Sequence, residues 1–209
     1  MTELLPAAPP ATPDPATDPA AAATAAAPAR LTLRVPTEED AYAWHQVFDH
    51  PEVMEFLGGR SAELSLYYEF TARQRRHDAE RGFCLWTVLD EAGEVVGFTG
   101  AQPWPHAWGP AGEIEIGWRL GRAAWGRGYA TEAARMTLEK LRATGVERVV
   151  AMVDPRNERS AAVARRLGME AAETYPVEGR EGGGEGRCYR LELGAPAGPP
   201  ATSPATLNV

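Results

Sequence analysis

Residues 113–142 join a two-faced strand to an amphipathic helix through a glycine-rich turn, and this unit constrains the fold more than any other feature. Side chains alternate along the strand, with Ile114, Ile116, Trp118 and Leu120 on one face and Glu113, Glu115, Gly117 and Arg119 on the other. The turn, Trp125-Gly126-Arg127-Gly128-Tyr129-Ala130, leads into a helix start with unpaired N–H groups at the positive end of the helix dipole. Such a unit places a helix against a sheet and can bind phosphate.

This glycine turn (residues 125–130) does not match two common nucleotide-binding motifs. No Gly-Lys-Ser/Thr follows it, which excludes a Walker loop. Gly126-x-Gly128 lacks the third glycine of a Rossmann fingerprint and occurs late in the chain. From the residues alone, a phosphate-binding turn and an ordinary helix entry therefore both stay open.

Composition divides the 209 residues into three parts. Residues 1–30 contain 12 Ala and 7 Pro and no aromatic residue, and residues 194–209 are similarly rich in Ala, Gly and Pro. Such segments bury too little apolar surface to offset the entropy of ordering, so we predict a disordered arm and a disordered tail. Residues 31–193 carry every Trp, Tyr, Phe and His, and we predict that they form a single domain.

Hydrophobic periodicity and turn residues predict the order β-α-α-β-β-β-α-β-α-β-β within that domain, an α/β (α+β) fold. The predicted strands cover residues 31–35, 83–89, 95–101, 113–120, 148–153, 169–175 and 188–193. The first helix is expected to use Thr37 as its cap, and the second covers residues 61–81. The last two helices are expected to end near Gly145 and Gly168.

Composition and charge argue against several classes of protein. No apolar run approaches the roughly 20 residues of a membrane-spanning helix. The net charge is -8 without a dense basic run, so direct nucleic-acid binding is not expected. Cys84 and Cys188 lack metal-ligand spacing, so we predict no metal site, and we expect Cys84 to pack in an apolar strand. With two cysteines and no visible secretory signal, we expect a cytoplasmic location.

Four segments in order resemble the GNAT superfamily of acyl-CoA-dependent N-acyltransferases, over the whole of residues 31–193. They are Leu31-Thr32-Leu33-Arg34, Glu115-Ile116-Gly117-Trp118, the glycine turn, and Asn157-Glu158-Arg159-Ser160 ahead of Leu167-Gly168-Met169. The phosphate motif of the superfamily is Gln/Arg-x-x-Gly-x-Gly/Ala, and Trp125 stands at its first position. The Trp-Gly-x-Gly-Tyr-Ala form resembles the branch of ribosomal-protein N-terminal alanine and serine acetyltransferases.

The resemblance implies a mixed central sheet, flanked by helices and splayed between the strands at 113–120 and 148–153. It implies that acetyl-CoA, and no metal, binds in this splay as the cosubstrate. Arg122 and Arg127 could add positive charge near its phosphates. From its residue type alone, Asn157 is equally a helix cap. The resemblance implies that Asn157 contacts the pantetheine arm. It also implies backbone contacts, to the arm from Trp118, Arg119 and Leu120 and to the pyrophosphate from the N–H groups of Arg127, Gly128, Ala130 and Thr131.

Acetyl transfer to an amine needs a base for the ammonium and a proton for the departing thiolate. The resemblance aligns Glu115 with a strand glutamate that serves as the base in parts of the superfamily. Glu113, Glu178 and Glu181 are alternative bases, and a salt-bridged or solvated strand face is the competing interpretation of Glu115. Many members carry an acidic Tyr seven residues after the Asn, but this chain has Ala164 there. Ser160 is the available substitute as the acid.

The resemblance therefore implies an acetyl-CoA-dependent N-acetyltransferase that acts directly on a primary amine. The acceptor is either a protein N-terminal amine or a small amine such as an antibiotic or polyamine, and the oligomeric state, including a homodimer, stays open. A non-catalytic acyl-CoA-binding regulatory module is the alternative, because Trp125 and Ala164 depart from the pattern. Trp104, His106 and Trp108 either wall the acceptor site or pack over the sheet edge.

Overall fold

A computed structural model describes residues 30–59, 62–177 and 184–194, which form one seven-stranded sheet with helices on both faces. The predicted arm and tail lie outside the described residues, except for Arg30 and Gly194. The strands are β1 (Thr32–Arg34), β2 (Leu85–Leu89), β3 (Val95–Pro103), β4 (Ile114–Leu120), β5 (Arg148–Val153), β6 (Glu170–Pro176) and β7 (Glu185–Glu192). The helices are α1 (Asp40–Phe48), α2 (Pro51–Met54), α3 (Leu64–Arg81), α4 (Tyr129–Arg142) and α5 (Glu158–Arg166), with a short 3-10 turn over Arg122–Ala124. The predicted fold class and element order are confirmed, and the short helix α2 is an addition.

Helix α1 begins at a buried carboxylate and not behind a Thr37 cap, so that prediction is wrong. Glu39 occupies the N-cap position without a side-chain bond to the helix, and the N–H of Thr37 donates to Asp40 at 2.8 Å. Asp40 is 2% exposed and also accepts from Arg34 at 2.5 and 2.8 Å and from Thr87 at 2.7 Å. Asp40 therefore ties the start of α1 to β1 and β2, because its buried charge needs all of these donors.

The sheet order is β1-β2-β3-β4-β5-β7-β6, and neighbouring strands are antiparallel except β4 and β5. Strands β3 and β4 pair from Gly97 opposite Leu120 to Pro103 opposite Ile114. The parallel strands β4 and β5 share a single register position, Glu115 opposite Val150. The two central strands therefore diverge beyond Glu115, which confirms the predicted splay.

Two apolar clusters cover the opposite faces of the sheet. One lies under α4 and α5 and includes Ile116 and Leu138. The other lies under α1 and α3 and includes Trp44 and Phe98. Because side chains alternate along β4, Ile116 packs toward α4, whereas Glu115 faces α1 and α3.

The two cysteines are buried, and each side chain has a relative exposure of 0%. Burial raises the pKa of both thiols, that of Cys188 to about 11. Cys84 belongs to the apolar cluster under α4 and α5, as expected for a packing residue. Among the residues that the structure describes, no group of three or more His, Cys, Asp and Glu side chains could hold a metal, and no helix could span a membrane.

Candidate active site

A cleft of about 1320 Å³ opens where β4 and β5 diverge. It extends from the glycine turn, past the first turn of α5, to Phe70 and Phe98 on the side of α3. The side chains or backbone of most residues predicted to act line this one cleft: Glu115, Trp118, Arg119, Leu120, Gly128, Ala130, Thr131, Asn157 and Ser160. The fold therefore brings both predicted catalytic residues and the glycine turn together, although they are separated along the chain.

The glycine turn presents open backbone at the start of α4. Gly126 and Gly128 have φ angles of 76° and 80°, in the left-handed region that favours glycine. A Cβ at Gly126 would meet nothing within 4 Å, and one at Gly128 would meet only the Arg30 side chain at 3.8 Å. The N-terminus of a 14-residue helix is thus accessible from the cleft, an arrangement that fits a pyrophosphate. The Arg127 guanidinium instead lies over the Tyr129 ring, 4.5 Å from its centroid.

Trp125, which departs from the superfamily motif, anchors the glycine turn. Its Nε1 donates to the Leu120 carbonyl at 2.9 Å, and the guanidinium groups of Arg122 and Arg159 lie 5.1 and 4.6 Å from its ring centroid. Arg122 also donates to Glu52 at 3.0 Å, so its charge is directed to α2 and not to a phosphate.

The free edge of β4 fits an extended arm, with one correction to the prediction. Backbone groups alternate in direction along an antiparallel strand. The Gly121 N–H donates to β3, and the Glu113 carbonyl accepts from the Trp104 N–H at the end of β3. Arg119 is separated from both residues by an even number of positions, so its backbone groups also point to β3. The predicted backbone contact of Arg119 with the arm is therefore wrong. The backbone groups of Trp118 and Leu120 point toward the diverging β5. The Leu120 carbonyl already accepts a hydrogen bond from Trp125.

Asn157 caps helix α5, and Ser160 lies in the first turn of that helix. The Asn157 Oδ1 accepts from the Ser160 N–H at 3.0 Å, so the capping interpretation holds. Both residues line the cleft, so the Asn157 amide nitrogen and the Ser160 hydroxyl can face a ligand there. Ala164, at the position of the superfamily Tyr, is fully buried in the core under α5.

Glu115 and Glu113 have different surroundings, although they lie two residues apart. Burial raises the pKa of Glu115 to about 7, against opposing contributions from a Gln102 hydrogen bond at 3.3 Å and from the positive charge of Arg119. Glu113 instead accepts from Arg190 of β7 at 2.6 and 2.8 Å. The salt-bridge interpretation therefore applies to Glu113, whereas Glu115 remains available to a proton. Glu178 and Glu181 lie outside the described residues.

Two buried glutamines near Glu115 were not identified from the sequence. Gln74 of α3 is 0% exposed and Gln102 of β3 is 8% exposed. Their only signal in the sequence is a polar residue at a core-facing position of a periodic segment, which is too common to single them out. Conversely, Trp104, His106 and Trp108 pack against one another with ring centroids 5.0 to 5.2 Å apart, and none of the three is among the described residues that line the cleft.

An open strand edge beside a helix N-terminus can bind an extended ligand that ends in phosphate. A family profile described as "Acetyltransferase (GNAT) domain" matches residues 30–170. The chain is 30% identical over 148 residues to "Uncharacterized protein YkkB" of Bacillus subtilis, which covers 69% of this chain and 84% of that protein. It is 29% identical over 105 residues to an L-methionine sulfoximine/L-methionine sulfone acetyltransferase of Pseudomonas aeruginosa, over 50% of this chain and 61% of that protein. The chain therefore belongs to the GNAT acetyltransferase family.

Solved structures agree with this fold. A GnaT-family acetyltransferase from Bordetella pertussis has a TM-score of 0.65 at 22% identity, covering 77% of this chain and 94% of that one. The acetyltransferase yncA of Salmonella typhimurium, solved with acetyl-CoA, has a TM-score of 0.62 at 18% identity, with 81% and 99% covered. The ribosomal-protein-S5-alanine acetyltransferase of Vibrio fischeri has a TM-score of 0.64 at 16% identity, with 78% and 93% covered.

Family membership confirms the enzyme class and the cosubstrate. The chain is a GNAT N-acetyltransferase with acetyl-CoA as its acyl donor. The splay, the open β4 edge and the glycine turn are the features of this structure that fit the cofactor. The alternative of a non-catalytic binding module has no support in the relatives that are named as acetyltransferases.

Proposed function

We propose that this acetyltransferase transfers acetyl directly to a primary amine, with Glu115 as the general base. One observation carries the proposal: a carboxyl group with a pKa of about 7 lies in the same cleft as the glycine turn and the open edge of β4. A base with a pKa near neutral pH can take a proton from an ammonium and still be available in its ionised form.

The proposed cofactor contacts come from three elements that meet in the cleft. Backbone groups of Trp118 and Leu120 hold the pantetheine arm, and Asn157 contacts it from α5. The N–H groups of residues 127, 128, 130 and 131 hold the pyrophosphate. When bound, acetyl-CoA supplies a thioester carbonyl that an amine can attack.

The reaction needs a base that accepts a proton from the ammonium and an acid that donates a proton to the departing sulfur. Glu115 accepts a proton from the ammonium, directly or through water, and the nitrogen then bonds to the acetyl carbon. A backbone N–H of the open β4 edge polarises the carbonyl. The carbon–sulfur bond breaks as the Ser160 hydroxyl donates a proton to the departing sulfur, and Ser160 regains a proton from the nitrogen, which loses it to become the neutral amide.

Release of free thiol from acetyl-CoA tests this function across a panel of peptides and small amines. At least one amine should release thiol, and Glu115→Gln should lower that rate by about two orders of magnitude. Bound acetyl-CoA without thiol release for any acceptor would refute the proposed transfer. Normal turnover by Glu115→Gln would refute the assignment of the base alone.

Arg119 favours a small amine that also carries an anionic group. Its guanidinium lies over the rings of Phe48 and Phe98, at 5.2 and 5.3 Å from their centroids, and hydrogen-bonds with Tyr67. Burial lowers its pKa, and within residues 30–59, 62–177 and 184–194 no carboxylate oxygen lies within 4 Å of it. A partly buried cation is stabilised by opposite charge, and an acceptor entering beside Glu115 would add an anionic group to the charge of the Glu115 carboxylate.

Charge-matched acceptors distinguish this acceptor class from a protein N-terminal amine. An amino acid should be acetylated with a lower KM than its carboxamide, which has the same amine but no anionic group. Arg119→Gln should raise the KM of the amino acid and leave that of the amide nearly unchanged. Preference for peptides beginning with Ala or Ser over both compounds would instead support the N-terminal amine.

A further inference from the structure

We propose that Gln74 and Gln102 form a directional hydrogen-bond chain that positions Glu115 and reserves its Oε1 for the substrate proton. This inference rests on the proposed role of Glu115 as the base. The chain crosses from α3 through β3 to β4, and both amides are buried. Each link has hydrogen-bonding distance: 3.0 Å from the Leu85 N–H to Gln74, 3.1 Å from Gln74 to Gln102, and 3.3 Å from Gln102 to Glu115.

A backbone group sets the direction of the whole chain. The Leu85 N–H can only donate, so the Gln74 atom that faces it must be the amide oxygen. The Gln74 nitrogen then faces Gln102 and requires its oxygen, which leaves the Gln102 nitrogen to donate to the Glu115 Oε2. Reversing any amide would bring two donors or two acceptors together.

The direction of the chain has a chemical consequence for Glu115. A donated hydrogen bond favours the ionised carboxylate, so Gln102 opposes the effect of burial on Glu115. Because Oε2 is committed as an acceptor, the remaining oxygen, Oε1, receives the proton of the ammonium. Gln102 also lines the cleft, so the chain ends at the place where an acceptor amine would enter.

The charged and titratable groups that act on Glu115 in the described residues are few. Arg119 acts on it from the same strand, and the Cys188 thiol of β7 interacts with it electrostatically. Cys188 has a pKa of about 11 and stays neutral near pH 7, and Arg119 stays charged. A shift in the acidic limb of the pH profile after a change at Gln102 therefore reports on Glu115.

The test replaces the amide of Gln102 by an uncharged side chain of similar size. Gln102→Met should move the acidic midpoint of kcat upward by about one pH unit, because the ionised form of Glu115 loses a donor. Turnover should fall about tenfold at pH 6 and no more than about threefold at pH 9, where Glu115 is ionised in both proteins. Gln74→Met, which frees Gln102 to rotate, should shift the midpoint in the same direction by a smaller amount.

Thr99→Val provides the matched control. Thr99 is buried in the same strand and loses a hydrogen bond to Gly117, but it lies on the face of α4. This variant should lose stability without a shift of the midpoint. Carbon-13 NMR titration of the Glu115 carboxyl in the free protein should show the same upward shift in Gln102→Met and does not depend on turnover.

The outcomes separate this inference from the proposed function. An unchanged midpoint and an unchanged NMR titration in folded Gln102→Met would overturn the hydrogen-bond chain, even with Glu115 as the base. An acidic limb that persists in Glu115→Gln would overturn the base assignment instead. A Thr99→Val shift equal to that of Gln102→Met would show that any core defect moves the midpoint, which would also overturn the chain.

Discussion

Replacing Glu115 by Gln should make the protein less active and, at neutral pH, more stable. Burial raises the pKa of Glu115 from 4.5 to about 7, so the folded state binds this proton more tightly than the unfolded state. Between these two values the folded protein keeps a proton that the unfolded chain releases, and its stability therefore falls as the pH rises. The Gln side chain does not titrate, so the Glu115→Gln protein does not lose this stability as the pH rises.

The size of the effect follows from the width of this pH window. Each pH unit of differential proton binding is worth about 1.4 kcal/mol, so the window sets an upper limit of about 3–4 kcal/mol. Because Glu115 borders an open cleft, solvent screening reduces this to about 1–3 kcal/mol. The difference should be absent below pH 4.5, where both states are protonated, and complete above pH 7.

Urea unfolding followed by tryptophan fluorescence measures this difference between pH 4.5 and 8. Glu113→Gln is the matched control, because it removes the same charge but breaks the ion pair with Arg190 and should lower stability at pH 8. Glu113→Gln should also retain turnover. A Glu115→Gln protein that is less stable than the parent at pH 8, or whose stability difference does not change with pH, would refute the reasoning.

Four other changes test the site and the fold. Gly128→Val should weaken acetyl-CoA binding more than tenfold by calorimetry, whereas Gly145→Val, with the same φ of 80° but at the far end of α4, should lose stability without losing affinity. Equal affinity for both variants would contradict the assignment of the pyrophosphate site to the glycine turn. Ser160→Ala should reduce turnover less than Glu115→Gln does, since a thiolate leaves readily near neutral pH, and unchanged single-turnover rates would exclude Ser160 as the acid. Asp40→Ala should cost about 3–5 kcal/mol in urea unfolding because Arg34 then loses its buried partner, and a cost below about 1 kcal/mol would contradict that account. A protein limited to residues 29–195 should keep the parent Tm and turnover, and a large loss of Tm would show that one of the removed segments stabilises the domain.

The local elements of this protein could be read from its sequence. Strand β5 has the predicted bounds, Arg148–Val153, and the glycine turn leads into α4 as expected. Asn157 caps α5, which its residue type already favoured. These features were predictable because periodicity, turn chemistry and capping depend on residues within a few positions of one another. The resemblance of four ordered segments to the GNAT superfamily also predicted the splayed sheet.

The roles of the charged residues depended on the tertiary structure. Glu113 and Glu115 are equivalent in sequence pattern, yet Arg190 pairs with one, and buried Gln102 contacts the other. Arg119, expected to contribute its backbone to the cofactor, turns that backbone to β3 and its side chain to Phe48 and Phe98. The pKa of a carboxyl group depends on burial and on neighbours from distant segments, and the chain brings those neighbours together only when it folds.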